Sequence, residues 1–358
     1  MLLSNLIEIV DTIAPPNLAM PDDPIGMHLG SPATKVERVL VCLDVTDKIA
    51  RQAHDRDVDA IFCHHPLIYH PIQSLAEDNP ANHLIAQLIR DRLAVYSLHT
   101  NWDAADDGLN HALARSVGLR ETEPLDPTYR RNLVKLVVFV PLDSVDRVAQ
   151  ALGKAGAGHI GKYSHCSFRT QGVGTFLPGE GTNPHIGSTG ELECVDEIRL
   201  ETIVPEDLLD KVTDAMTVAH PYEEVAYDLY DVRSVGQSNG IGLIGNLNEA
   251  VPFSEFIARV DEALGHPGLR ARGDLGKTIS TVAVCGGSGG DLIDCAVARG
   301  ADAYVTADIP HHLLLHSEAL GLGLVDGTHY ATEIIGMEHF ANRLRNQIGS
   351  DIEVIFAP

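Results

Sequence analysis

Apolar and polar positions fall in blocks along this chain, and the blocks repeat. Leu3, Leu6, Ile7, Val10 and Ile13 recur at helical spacing, which predicts an amphipathic helix ending near Pro15-Pro16. From Val36 to Pro66, VERVLVCLDVTDKIARQAHDRDVDAIFCHHP reads as an apolar strand, a polar turn, an amphipathic helix and a second apolar strand. From Thr281 to His312, TVAVCGGSGGDLIDCAVARGADAYVTADIPHH has the same order. Cys42 precedes Asp59 by 17 residues, and Cys285 precedes Asp302 by 17. The equal spacing predicts an internal repeat of a strand-helix-strand unit. Such units build parallel sheets with helices on their faces. The repeat continues into SLHTNWD, after the strand-like LAVYS, and DGTHYATE, after LGLVD. His99 stands four residues before Asp103 and His329 four before Glu333, and one gap aligns the two histidines.

Between the halves the pattern changes. LVKLVVFV (133–140) reads as a strand and PLDSVDRVAQALGKAG as a helix, followed by a glycine-rich stretch from Gly156 to Gly190. Strand-like VDEIRLETIV, helical PEDLLDKVTDAMTVA and HPYEEVAYDLYDV come next. This β-α-β, β-α-β order predicts an α+β ferredoxin-like domain inserted in a loop. The expected fold is therefore α/β. Residues 1–127 and 238–358 form two similar halves of one α/β domain, and residues 128–237 form the insert.

Composition narrows the partners. The 358 residues are 44% hydrophobic and 21% charged, and no apolar run is long enough to span a membrane. The formal net charge of −24 disfavours general binding to nucleic-acid backbones, which requires clustered Lys and Arg. No Lys or Arg precedes Lys35, so a secretory leader is not expected. The six cysteines show no CxxC, and Cys42, Cys63 and Cys285 lie in strand-like runs. A reducing cytoplasm is the expected compartment.

The candidate chemistry lies where apolar runs end. His64 and His65 follow Ala60-Ile61-Phe62-Cys63, at the strand edge where open α/β sheets place their sites. His329 and Glu333 share a helix face, with Thr328 as the expected N-cap, and Asp103 follows a third strand end. Three histidines and two carboxylates suit Zn²⁺, Fe²⁺, Mn²⁺, Co²⁺ or Ni²⁺ better than Ca²⁺ or Mg²⁺. Five ligands exceed what one open site needs, and a carboxylate-bridged pair of ions accommodates them.

HHPLIYHPIQSL, SLHTNWDAADDGLN, VAVCGGSGGDLI, GADAYVTADIPHH and DGTHYATE resemble the signature segments of the Nif-three-like dinuclear metal-centre family. Its members are often labelled GTP cyclohydrolase 1 type 2 homologues. The resemblance covers nearly the whole chain. It implies two divalent transition-metal ions per chain (Zn, Fe or Mn). His65 and Asp103 would hold one, His64 and His329 the other, and Glu333 would bridge them. It also implies a ring-shaped homohexamer with the metal pairs facing an inner cavity, and hydrolysis of a nucleotide or other small molecule by metal-activated water. YSHCSF, NPHIG and AHPYEEVAYDLY resemble the insert of the longer bacterial members, and HPYE resembles the trimeric divalent-cation-tolerance proteins. Thr306-Ala307-Asp308 departs from the family's Thr-Gly-acid but keeps the acid.

His99 is a candidate general base, a donor that orients a ligand, or a plain structural hydrogen-bonding residue, and His312 a candidate substrate contact, with His311 and His316 behind it. GGSGG (286–290) fits neither a P-loop nor GxGxxG, and a tight strand-to-helix turn is its plain reading. His165, Cys166, His185, His220, Glu223 and Glu224 match no compact ligand spacing. The insert is expected to pack against its copies or gate the cavity. Two functions from different classes remain: a metal-dependent hydrolase, and a non-enzymatic metal-binding, delivery or regulatory scaffold.

Overall fold

The first helix, Leu3–Ile13, turns Leu3, Leu6, Val10 and Ile13 inward, as their spacing predicts. The computed structural model describes residues 1–233, 236, 238–266 and 268–358. They form two compact units, Met1–Tyr129 with Asn239–Pro358, and Arg130–Ser238. Among the described residues no helix is long and apolar enough to cross a membrane.

The larger unit is mixed α/β with two sheets. In the first, the strands lie in the order Gly26–Leu29, Ala94–Ser97, Ala60–Cys63, Arg38–Cys42 and Glu353–Phe356. All but the first run parallel. Ala60–Cys63 and Ala94–Ser97 are buried at every residue because both faces are covered. Val39, Val41 and Phe62 pack on one side against Leu6, Val10 and Phe340. Leu40, Ile61 and Val95 pack on the other against Ile49 and Leu88. The second sheet runs Arg270–Arg272, Gly323–Asp326, Ala303–Ala307, Thr278–Ser288, Ser238–Pro252 and Leu119–Arg130. Its second to fourth strands are parallel.

The repeat has a physical basis in its two aspartates. One oxygen of Asp59 accepts the backbone N–H groups of Glu37 (2.7 Å) and Arg38 (3.0 Å), at the start of the preceding strand. Asp302 accepts those of Ser280 (3.0 Å) and Thr281 (3.1 Å) in the same way. Strand register then corrects the alignment of the histidines. Ala60 pairs with Ala94 and Ala303 with Gly323. His99, five residues past Ala94, therefore matches Thr328, five past Gly323, and His329 matches Thr100. The C-terminal strand completes the first sheet, and Leu119–Arg130 joins the second.

Helix His329–Ile348 buries Met337, Phe340, Ala341 and Leu344. Gly336 lets it approach helix Leu109–Ser116 closely, since a Cβ there would lie 2.4 Å from Leu109 Cγ.

In the smaller unit, helices Val145–Ala155 and Leu209–Ala219 cover an antiparallel sheet. Its order is Phe168–Phe176, Glu193–Pro205, Leu133–Pro141, Tyr227–Asp231. With the chain order β-α-β-β-α-β this is a ferredoxin-like arrangement. The second strand, Phe168–Phe176, lies inside the glycine-rich stretch.

Candidate metal centre

Parallel strands deliver the site. Strand Ala60–Cys63 ends directly before His64 and His65, and Ala94–Ser97 ends two residues before His99. The second sheet's Ala303–Ala307 ends before Asp308, and Gly323–Asp326 leads through Gly327 and Thr328 into His329. Thr328 holds the N-cap position but its side chain makes no cap bond, contrary to the expected role. It has φ 66°, and Asp308 has φ 55°. Left-handed backbone at two non-glycine residues beside one cluster is strain of the kind held at functional sites.

Each histidine of the cluster is fixed through Nδ1. His64, fully buried, donates Nδ1–H to Leu98 O at 2.9 Å. His65 donates to Asp44 Oδ1 at 2.8 Å, His329 to Asp308 Oδ2 at 2.6 Å, and His99 to Asp23 Oδ1 at 2.7 Å. Carbonyl and carboxylate oxygens only accept, so the proton of the neutral ring sits on Nδ1. Every Nε2 then presents a lone pair. Such outer partners orient metal-ligating histidines and raise their basicity. Asp23, Asp44 and Asp308 were not assigned these roles from the sequence. Asp23 is further held by Thr100, whose N–H and hydroxyl both donate to it.

The lone pairs of His64, His65 and His329 converge on Glu333, which is 4% exposed. His65 Nε2 and His329 Nε2 stand 3.2 Å apart, and each lies 3.1 Å from Glu333 Oε2. Three acceptors this close repel unless positive charge lies among them. Atoms 2.0–2.1 Å from one tetrahedral ion stand about 3.3 Å apart, so the triangle fits an ion. On the other side, His64 Nε2 is 3.6 Å from Glu333 Oε1 and 3.7 Å from Asp103 Oδ1. His64 Nε2, Asp103 Oδ1 and Glu333 Oε2 are buried with no hydrogen-bond partner. Buried polar atoms are rarely left so. These contacts group His65 with His329 and His64 with Asp103, which differs from the pairing the family resemblance implies.

Protonation follows the same logic. Burial alone would depress the imidazoles, but Asp44 and Glu333 raise His65 to about 10. Hydrogen bonding to Glu333, opposed by burial and aided by Asp308, raises His329 to about 9. His64 is raised despite burial by the charges of Asp103 and Glu333. Burial pushes Asp103 up to about 6. Glu333 is lowered by His64, His329 and His65, against the effect of its burial. The cluster favours positive charge among its donors.

Gly287 makes room for the carboxylate. Its φ is 64°, and a Cβ there would lie 2.2 Å from Glu333 Oε1. The GGSGG amides are committed: Gly286 donates to Asn110, Gly287 to Thr332 and Gly289 to Thr306. Gly286–Ser288 are the last residues of strand Thr278–Ser288, and the chain turns after them, at Gly289 and Gly290. One ring nitrogen of His99 lies within 4.8 Å of those of His64 and His65. His312 is exposed in the first turn of helix His311–Ala319 and belongs to neither metal-competent group among the described residues. In the insert, His220 is structural: Nε2–H donates to Phe139 O at 3.0 Å, and Nδ1 accepts Tyr222 N–H at 3.1 Å.

The family model Duf34/NIF3 (NGG1p interacting factor 3) matches residues 1–358. A Bacillus subtilis (strain 168) protein named GTP cyclohydrolase 1 type 2 homolog is 42% identical over 330 residues, covering 92% of this chain and 88% of that one. A Mycobacterium tuberculosis protein of the same name is 38% identical over 356 residues, covering 98% and 93%. The crystal structure of a Bacillus cereus protein related to NIF3 matches with TM-score 0.94 at 39% identity, covering 100% of this chain and 96% of that one.

Proposed function

The chain belongs to the Duf34/NIF3 family, and from that membership and the site's geometry we propose that it is a dinuclear metal-binding protein acting as a metal-dependent hydrolase. The observation that carries the reading is the meeting of His65 Nε2, His329 Nε2 and Glu333 Oε2 at 3.1–3.2 Å. In this reading His65 and His329 would hold one divalent transition-metal ion, His64 and Asp103 would hold a second, and Glu333 would serve both. Bound there, the ions would supply Lewis acidity and bring the pKa of water toward neutrality. The chain's own residues do the rest. Asp44, Asp308 and the Leu98 carbonyl keep three Nε2 lone pairs aimed inward. His99, its Nδ1–H held by Asp23, keeps Nε2 free to take a proton from the attacking water and return it to the leaving group.

The names of the B. subtilis and M. tuberculosis relatives make GTP the first substrate to test, with hydrolytic opening of the guanine ring at C8. Metal-loaded protein is expected to convert GTP, another cyclic amide or a phosphoester, and chelator-stripped protein to convert none. Loaded protein inert toward all three classes would refute the hydrolase and leave metal carriage or scaffolding. We also place the centre in a homohexamer. Exposed Phe168, Leu177 and Leu192 in the insert support self-association. Light scattering should return six 38.6 kDa chains per particle, and a monomer would refute this.

A further inference from the structure

The inserted unit contains a cavity of about 550 Å³ that the metal reading does not use. It lies over strand Phe168–Phe176 and its neighbour Glu193–Pro205, beneath Pro178 and Pro184. The volume is that of a small-molecule site. Tyr222 lines it, with the rings of Phe176 at 6.0 Å and His185 at 6.1 Å, both tilted against it.

Three carboxylates line the same space: Glu197, Glu223 and Glu224. Glu197 is only 7% exposed and accepts the Tyr222 hydroxyl at 3.0 Å. Its other oxygen lies over Gly174, where a Cβ would come within 2.1 Å. Glycine at that position is what lets the carboxylate lie along the strand. Glu223 is held by the N–H of Asn183 at 2.9 Å. The one guanidinium in the lining, Arg199, already donates to Glu201 at 2.9 Å.

We propose that this cavity binds a small organic ammonium cation with a short apolar body. Aromatic faces attract such cations through the ring quadrupole, and a carboxylate at the floor supplies the countercharge. An anion would face three carboxylates. A neutral apolar ligand would bury Glu197 without compensating its charge. A metal ion is disfavoured, because among the described residues these acids and His185 form no convergent ligand group.

The test is calorimetric titration of the full-length protein with choline and with n-butylammonium. The control is 3,3-dimethyl-1-butanol, which has the shape of choline without its charge. One saturable site per chain is expected for at least one cation, with the neutral alcohol about tenfold weaker or worse. Glu197→Gln should weaken the cation by a similar factor, and Glu224→Gln, at a more exposed position, should weaken it less. Saturation by neither cation, equal binding of the alcohol, or unchanged affinity in both variants would overturn the proposal.

Discussion

Replacing Asp308 with Asn tests the outer partner of His329 without breaking the fold. Asp308 is half-exposed and has φ 55°, a left-handed conformation that Asn tolerates. The melting temperature should therefore barely change. The lost charge acts on His329, whose Nδ1–H donates to Asp308 Oδ2 at 2.6 Å. Removing such a partner typically costs 10–100-fold in metal affinity, about 1.4–2.7 kcal/mol. An opposing effect must be weighed. Glu333 and Asp308 raise His329 to about 9, so near neutral pH a proton competes with the metal. A neutral amide relieves part of that competition. A divalent ion carries twice the proton's charge, so weakening wins, and the net loss should sit near the lower end, about tenfold. Titrating stripped protein with Zn²⁺ against a chromophoric chelator resolves two steps. One should weaken about tenfold while the other, held by His64 and Asp103, stays within about twofold. Equal weakening of both steps, or of neither, would refute the assignment of His329 to one ion.

Metal uptake should release protons. His65, raised to about 10, and His329, raised to about 9, carry protons near neutrality that the ion must displace. Apparent affinity should rise with pH until about 10 and then level. Titrations in buffers of different ionisation heat should count more than one proton per chain, and a count of zero would contradict the site. Gly287→Ala should lower metal content and stability together. The Cβ meets Glu333 Oε1 at 2.2 Å, and the positive φ alone costs about 1–2 kcal/mol. Full metal content by elemental analysis would show that the close approach is unimportant. His99→Ala and Asp23→Asn should retain both ions and lose turnover by about 10²-fold or more, with an altered pH–rate profile. Unchanged rates would remove His99 from the chemistry.

Much of this was legible in the sequence because apolar runs stop where chemistry begins. Ala60–Cys63 ends at His64, and Gly323–Asp326 ends three residues before His329, so strand ends pointed to the cluster. The paired 17-residue spacings were legible because Asp59 and Asp302 each accept two successive backbone N–H groups near the N-terminal end of the preceding strand. The outer partners were not. Asp23 reaches His99 across 76 residues and Asp44 reaches His65 across 21, through space that only the folded sheets define. The match of His99 to His329 slid by one residue because a His-x3-acid pattern carries no register, whereas strand pairing does. Glu353–Phe356 gave no sign that it would close the first sheet. Its pairing with Arg38–Cys42 spans nearly the whole chain.

The most direct test is the metal content per chain of tag-free protein purified without chelator, by elemental mass spectrometry, beside Glu333→Ala. The two oxygens of Glu333 face both groups of donors, Oε1 toward His64 and Oε2 toward His65 and His329. Near two ions in the parent chain and a clear loss in the variant is the predicted result. Near zero in both, after reconstitution with Zn²⁺, Mn²⁺ or Fe²⁺, would contradict the metal centre.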